Sequence, residues 1–441
     1  MRLNQRLEPE FYLDVIAITG SYDKPFVNGN GHIIEWAVKI LQFDHLLSKD
    51  VIKKKHIISV AEKITSFHHS LTRSNVESHY GNANSIYAHI HDNYMQTKRL
   101  THQNDIIKSL NYIEDWHKEQ FHDLKDLLDN RKKNGFIRDC HGDLHLGNIA
   151  IHKNKIILFD CIEFSNNLRQ IDLIDEISFL VMDLEANNHT ELANHFINHW
   201  LQICGDFEGL KLLNFYKVYR AMIRIKVGII NIEQKHNNIT DIRHVNRYLE
   251  LATHYTEHSK CAIIITHGLS GSGKSTISKS ISCHINAIHI RSDIERKRLT
   301  IEKKEDLYND KTITEIYNKL ETASEAILTA SYNALIDATF LDINRRNNFI
   351  SLASRLNVPC IILDFFAPTT HLEKWIIERK QEGKDASDAN IHVLHQQIET
   401  RNPLTDYEKK MAITIDTSRE INIKSLAKSI NEKINALWNL R

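Results

Sequence analysis

The chain has 441 residues, enough for two or three domains, and its 56 Lys+Arg balance 56 Asp+Glu, which leaves no global basic field of the kind that nucleic acid attracts. Its six cysteines (Cys140, Cys161, Cys204, Cys261, Cys283, Cys360) include no CxxC pair and its 27 histidines no HExxH. That excludes a disulfide framework, fits reduced thiols in a cytoplasmic protein, and leaves Cys140, His141 and His145 as the close grouping at which a metal has to be considered. No apolar run reaches the ~18 residues that span a bilayer, and MRLNQRLEPE has no apolar signal core, so no membrane partner is expected.

From Arg2 the pattern predicts a helix broken before Pro9, then a strand over YLDVIAI. FVNGNGHIIEWAVKILQF predicts a hairpin, two alternating runs around Asn28–Gly31. Residues 50–130 are helical in period, until Gly135 ends the run. The strands IAIH and KIILFD follow around a turn at Lys153–Asn154, and residues 170–255 return to helical periodicity. The polar stretch HYTEHSK marks a boundary between domains 1–257 and 258–441. Beyond it CAIIITH, AIHIRSD, ALIDATF, PCIILDFFA and MAITIDT read as strands, with helices between them and a closing helix over SLAKSINEKINALW. Strands alternating with helices predict an α/β domain with a parallel sheet covered on both faces, a three-layer α/β/α arrangement.

The stretch Cys261 to Thr276, CAIIITHGLSGSGKST, is an apolar strand, a G-x-x-x-x-G-K-S loop and the start of a helix, the context that a P-loop requires. Glycines at 268, 271 and 273 let backbone N–H groups approach phosphate oxygens, and the following helix turns its positive end to the same anion. The expected nucleotide contacts are Gly268, Ser270, Gly271, Ser272, Gly273, Lys274, Ser275 and Thr276, with Lys274 on the β- and γ-phosphates and Ser275 on Mg²⁺. Asp293, after the second strand, is the candidate to activate an acceptor hydroxyl, with Arg296 one helical turn on for substrate or phosphate. A capping Asp with a solvated basic helix is the alternative. Asp337, closing the third strand, is a candidate Mg²⁺ carboxylate or a strand-end hydrogen-bonding group. Arg345 or Arg346 faces the site as a substrate ligand, or both are solvated. Arg379, before a Gly383 break and a polar loop that could close as a lid, is the candidate charge stabiliser. Asp416 reads as structural.

In HGDLHLGN, His141, Asp143 and Asn148 form an H-x-D-x-x-x-x-N array, with Asp160 twelve residues beyond Asn148 at a strand end. Phosphoryl transfer uses such a set: Asp143 as base, Asn148 and Asp160 as Mg²⁺ ligands, His141 as a brace. A locally hydrogen-bonded turn uses the same residue types.

This stretch resembles the aminoglycoside phosphotransferase/choline kinase family. With FDCIEF, IDLIDEISFLVMDLEA and RLNQRLEPEFYLDV, it is more closely similar to bacterial two-domain proteins that join such a domain to a P-loop domain. The resemblance implies that a lysine-bearing strand precedes Met1 in the family, so the N-lobe is expected to be incomplete. Lys39 in EWAVKI matches a V-A-I-K strand superficially, but the resemblance places this hairpin after the nucleotide clamp. The C-terminal half resembles small-molecule P-loop kinases of the gluconate kinase, adenylylsulfate kinase and zeta toxin types, through RSDIERKRL, IDATFL and KDASDA. That family commonly has two lid arginines four apart; here Trp375 takes the first place and Arg379 the second, with Lys380 and Lys384 nearby.

The expected function is Mg²⁺·ATP-dependent phosphoryl transfer to a small hydroxyl-bearing acceptor by the P-loop domain. The alternatives are an ATP-binding switch with a pseudokinase N-terminal domain, and a toxin-like kinase of a nucleotide sugar.

Overall fold

The computed structural model describes residues 1–47, 51–234, 239–257, 259–303, 310–382 and 389–440. The Gly383 break, Lys384 and most of the polar loop expected as a lid lie outside them. The chain forms two compact units: Met1–Phe196 with Leu212–Thr256, and Ile197–Lys211 with Glu257–Arg441. Among the described residues no helix is long and apolar enough to cross a membrane.

The first unit opens with a 3-10 turn, Asn4–Arg6, where the period had predicted a helix. Strands β1 (Tyr12–Ser21), β2 (Lys24–Val27) and β3 (Ile33–Ile40) form an antiparallel sheet in the order β2-β1-β3. The runs on either side of Asn28–Gly31 therefore do not pair with each other, as a hairpin there requires. Both pair with β1, which sits between them, with Thr19 opposite Phe26 and Val15 opposite Val38. Alternation identifies strands but not partners, because every strand of a sheet shares the two-residue period.

β4 (His45–Leu46) leads to helices α1 (Lys54–Ser70), α2 (Ala83–Leu100) and α3 (Asn104–Lys133). β5 (Ile137–Asp139) then precedes the hairpin β6 (Ile149–His152) and β7 (Lys155–Leu158). Its two turn residues, Lys153 and Asn154, have φ of +48° and +61°, the conformation that a tight hairpin demands. β8 (Gln170–Asp172) pairs with β5 and feeds α4 (Leu173–Ala186). Asp172 caps α4 by accepting the Ile174 N–H at 2.8 Å, and it also holds buried Arg131 through bonds of 2.7 and 2.8 Å. α4 is buried almost throughout, so its acids need partners: Asp175 takes Arg220 at 2.7 Å, and Asp183 accepts from the Leu146 N–H and the Tyr248 hydroxyl, each at 3.0 Å. α5 (Thr190–Cys204) follows, and α6 (Leu213–Gln234) and α7 (Ile239–Tyr255) complete this unit.

In the second unit the strands are β9 (Ile263–His267), β10 (Ala287–Arg291), β11 (Asn333–Asp337), β12 (Cys360–Phe366) and β13 (Ala412–Asp416). They form one parallel sheet in the order β10-β11-β9-β12-β13. The helices are α8 (Lys274–Ile281), α9 (Ser292–Lys303), α10 (Asp310–Thr329), α11 (Ile343–Arg355), α12 (Thr369–Glu382), α13 (Ile391–Thr400), α14 (Asp406–Met411) and α15 (Ile423–Asn439). Ile264, Leu335, Leu363 and Ile415 form a core with Ile281 of α8 and Ile430 and Ile434 of α15. Alternate residues such as Ile263 and Ile265 are equally buried, and the pleat turns them to the opposite face. Burial on both faces explains the continuous apolar runs of these strands.

The segment Ile197–Lys211 clusters with this unit although it lies some sixty residues before the expected boundary. Its Asn198 amide donates to Ala287 O at 2.9 Å and its oxygen accepts the His289 N–H at 2.7 Å. These bonds satisfy the outer edge of β10.

Candidate active site

The turn from β9 into α8 is set by its glycines. Gly268 has φ +145°, and a Cβ there would lie 2.5 Å from the Phe365 carbonyl oxygen. Gly271 and Gly273 have φ of +83° and +76°, left-handed values that bring the chain into α8. The Ser270 N–H donates to the Gln397 side chain of α13 at 2.9 Å, which anchors the loop. Lys274 Nζ turns into the loop and donates to Leu269 O at 2.7 Å and Ser272 Oγ at 3.3 Å. Burial pushes the Lys274 ammonium down to about 8, against the pull of the Asp337 and Asp293 charges and with the push of Arg379.

Two carboxylates face this loop. Asp337, at the carboxyl end of β11, accepts from His289 Nε2 at 3.1 Å and lies 3.7 Å from Arg291 Nε. Burial opposes its ionisation, but His289, the Ser275 hydroxyl and Lys274 outweigh it, and its carboxyl is held below the ordinary range. Asp293, in the first turn of α9, pairs with Arg296 at 3.3 Å. The Ser275 hydroxyl and the Asp337 carboxylate together form a hard-oxygen pair, which fits Mg²⁺.

A cavity of about 880 Å³ joins these groups, lined by Ser270 to Ile277, Asp293, Arg296, Tyr317, Asp337, Arg345, Trp375, Arg379, Thr417, Arg419 and Ile421, among others. It is near the upper end of the ~300–1,000 Å³ typical of ligand sites. Strand order divides it. Asp293, Arg296, Asp337 and Arg345 follow β10 and β11, on one side of β9; Trp375, Arg379, Thr417, Arg419 and Ile421 follow β12 and β13, on the other. Of the two adjacent arginines the structure distinguishes sharply. Arg345 lines the cavity with its guanidinium 4.6 Å from the Tyr317 ring centre. Arg346 is fully buried, bonded to Glu408 at 2.6 and 3.1 Å and to the carbonyls of Phe340, Asn402 and Pro403. Arg379 lines the cavity and donates to Ala389 O at 2.8 Å. Gly268 is not among the lining residues; its place is the close approach to β12.

Asp143, Asn148 and Asp160 lie in the first unit. The β6–β7 hairpin brings Asn148 and Asp160 to its open end, where the Phe159 N–H donates to Asn148 O at 3.1 Å. The Asn148 amide donates to Asp143 Oδ2 at 2.8 Å, and His145 Nε2 is 3.5 Å from the same oxygen. Burial raises the Asp143 carboxyl, but His145, Arg220 and His141 outweigh it and hold it low. Asp160 has φ +63° and its N–H donates to the Tyr12 hydroxyl at 3.0 Å. His141 bonds Phe159 O at 2.8 Å, and the N–H groups of His141 and Gly142 both donate to buried Glu176. Cys140 therefore does not converge with His141 and His145; its sulfur groups with His68 and Glu176 instead. Lys39 is exposed on β3, opposite Asp14.

Residues 263–404 match the family model described as an AAA domain. The match contains the loop, Asp293, Arg296, Asp337, Arg345 and Arg379. Uncharacterized proteins of Mycobacterium tuberculosis and Mycobacterium bovis are each 30% identical over 226 residues, covering 49% of this chain and 45% of the relative. The chain thus spans about half the length of the curated relatives it matches. Among solved structures it is similar to a gluconokinase from Sinorhizobium meliloti (12% identity, TM-score 0.30, 41% of this chain and 95% of that one). A sugar kinase from Janibacter (15%, 0.30, 40% and 95%) and Chaetomium thermophilum Kti12 in complex with ADP-AlF3 (15%, 0.32, 40% and 97%) are similar at the same level. Function has to be read from the site.

Sequence reasoning did not single out Tyr317, Gln397, Thr417, Arg419 or Ile421 as site residues. Tyr317 and Gln397 sit within amphipathic helices, where core spacing hides a ligand-facing residue. Thr417 to Ile421 follow the last strand, and the available signal was the rule that parallel sheets bind ligands beyond their carboxyl ends.

Proposed function

We propose that the second unit is an ATP-dependent phosphotransferase acting on a small hydroxyl-bearing acceptor. The observation that supports this best is the single cavity in which the glycine loop, Lys274, Ser275, Asp337 and Asp293 meet. The phosphates sit on the loop amides and Lys274. The base takes the β12–β13 side, where Trp375 and Ile421 offer apolar walls, and the acceptor takes the side of Asp293. Ser275 and Asp337 would hold Mg²⁺, which when bound neutralises phosphate charge. Asp293 accepts the acceptor's hydroxyl proton as the acceptor oxygen bonds the γ-phosphorus. The bond from that phosphorus to the β–γ bridging oxygen breaks, ADP leaves with the electron pair, and the proton passes to solvent. Lys274 and Arg379 stabilise the transferring charge, an effect of preorganised position and electrostatics.

For the first unit, Met1–Phe196 with Leu212–Thr256, we propose an aminoglycoside phosphotransferase-like domain, with Asp143 as base and Asn148 and Asp160 as Mg²⁺ ligands. A second reading, a pseudokinase paired with an ATP-binding switch, is favoured by the exposure of Lys39.

The test of the leading reading is an acceptor screen with labelled ATP on the wild type, Asp293→Asn and Lys274→Ala. Asp293→Asn is expected to bind Mg²⁺·ATP normally and to lose about 10²–10⁴-fold in transfer, as loss of a general base does. Lys274→Ala is expected to bind no nucleotide at this site. Transfer by Asp293→Asn at the wild-type rate overturns the mechanism, and a wild type that binds ATP but phosphorylates nothing favours the switch.

A further inference from the structure

Ala287, Ile288, His289 and Ile290 of β10 are all buried, and His289 alone among the four is polar. An imidazole in such a strand is costly unless it is bonded. The parallel register sets Arg291 beside Asp337 and His289 beside Leu335, so these four side chains point to one face of the sheet. It is the face on which Leu335 packs with Ile281 of α8. His289 Nε2 reaches diagonally to Asp337 Oδ2 at 3.1 Å, and Arg291 Nε lies 3.7 Å from the same oxygen. A carboxylate only accepts, so Nε2 carries the proton of this bond. His289 Nδ1 is buried without a hydrogen-bond partner. A ring kept for packing alone gains nothing from that orphaned nitrogen. What the ring supplies is a fixed donor to a carboxylate on the cavity wall. The His289 backbone is fixed from the other direction. Asn198 of α5 accepts its N–H at 2.7 Å and donates to Ala287 O at 2.9 Å. The imidazole is thus pinned at its Cα by Asn198 and at its tip by Asp337.

Resting on the reading of Ser275 and Asp337 as the Mg²⁺ pair, we propose that His289 is a positioning residue for Asp337, and that Asn198 positions His289 in turn. Mg²⁺ affinity at the loop is then set from the outer edge of the sheet, by a side chain of the Ile197–Lys211 segment. His289 touches neither nucleotide nor metal; it holds the carboxylate in one orientation. Ligand carboxylates are commonly fixed by such outer hydrogen bonds, and losing one typically costs about 10–100-fold in metal affinity. The loop amides and Lys274 belong to the β9–α8 turn and make none of these bonds, so metal-free ATP is expected to bind as before.

The test is calorimetric titration of ATP into the full chain at stepped Mg²⁺ concentrations and in excess chelator, which reads metal affinity in the nucleotide complex apart from nucleotide affinity. Two substitutions differ in reach: a Gln amide can occupy the place of Nε2, whereas an Asn amide stops at the place of Nδ1. His289→Asn is expected to weaken Mg²⁺ about 10–100-fold with ATP affinity in chelator unchanged, and His289→Gln to keep most of the Mg²⁺ affinity. Asn198→Ala, at a temperature where it is fully folded, is expected to lose Mg²⁺ affinity in the same direction as His289→Asn. Mg²⁺ affinity untouched in His289→Asn, equal losses in the Gln and Asn variants, or a loss shared by ATP in chelator overturns the proposal, the last because it marks a role in stability alone. If His289→Asn does not fold, Asn198→Ala and His289→Gln decide: wild-type Mg²⁺ affinity in the first, or its loss in the second, overturns the proposal. Asp337→Asn separates the two levels. If that variant keeps the wild-type Mg²⁺ dependence, Asp337 is no metal ligand, and the reading on which this proposal rests fails with it. A wild type that binds no ATP at any Mg²⁺ concentration removes the phosphotransferase reading itself.

Discussion

Lys274 is the residue whose chemistry reads most directly as a measurement. Burial brings its ammonium down to about 8 in the nucleotide-free loop, and phosphate oxygens would raise it again. Below pH 8 the free and the bound forms are both charged, so ATP affinity is flat. Above pH 8 the free form is neutral, binding must take up a proton, and affinity falls toward tenfold per pH unit until the bound group also titrates. Calorimetry of Mg²⁺·ATP between pH 6.5 and 9.5 in buffers of different ionisation enthalpy reads both the slope and the proton; a flat profile through pH 9.5 refutes this account of Lys274. At this scale the sequence was informative where a motif fixes several residue types at fixed spacing, as in the loop from Gly268 to Thr276. It was not informative where one residue type has two uses. Nothing in NRRNN separates Arg345 at the cavity from Arg346 on Glu408, because the choice depends on α14, sixty residues later. Trp375, at a place where the resemblance led to an arginine, lies on the cavity wall, which only the packing of α12 reveals.

Elements are positioned by a few close contacts, and two of these carry clear expectations. The β9–α8 turn passes so near β12 that a Cβ at 268 would lie 2.5 Å from the Phe365 carbonyl oxygen, at a φ of +145°. Gly268→Ala is therefore expected to displace the loop, costing about 1–3 kcal/mol of strain and weakening Mg²⁺·ATP more than Gly273→Ala, whose nearest neighbour would be Thr417 Cγ2 at 3.5 Å. Comparing the two ATP affinities decides it; the reverse order means that φ at 273 matters more than space at 268. The Arg346–Glu408 pair ties α11 to α14 with both side chains buried. Glu408→Ala leaves a buried cation unpaired and is expected to cost about 3–5 kcal/mol, measured as the loss in the unfolding transition that Mg²⁺·ATP stabilises. The periods of these elements were legible in sequence, since burial on one face or two leaves a mark on the pattern. Their partners were not: β1, β2 and β3 all alternate, and only the structure places β1 in the middle.

For the whole chain, the two units are not successive in sequence. Ile197–Lys211 belongs to the second unit, ahead of Leu212–Thr256 in the first. Periodicity could not show this, because α5 is one uninterrupted helix from Thr190 to Cys204 across the division. Asn198→Ala would leave the buried Ala287 carbonyl and His289 N–H without their side-chain partner, an expected cost of about 1–3 kcal/mol in the ATP-stabilised transition, and a fragment cut at residue 258 would suffer the same loss. The number of nucleotide sites is the remaining question at this scale. Each unit holds one of the two sets proposed above for phosphoryl transfer: Asp293 and Asp337 in the second, Asp143, Asn148 and Asp160 in the first. The second has the glycine loop and a buried lysine on it. The first has Lys39 exposed on β3. Calorimetry is therefore expected to find one Mg²⁺·ATP per chain in the wild type and none in Lys274→Ala. If Lys274→Ala retains one site that Asp160→Ala then removes, the first unit binds nucleotide without Lys39, and the chain has two phosphotransferase centres.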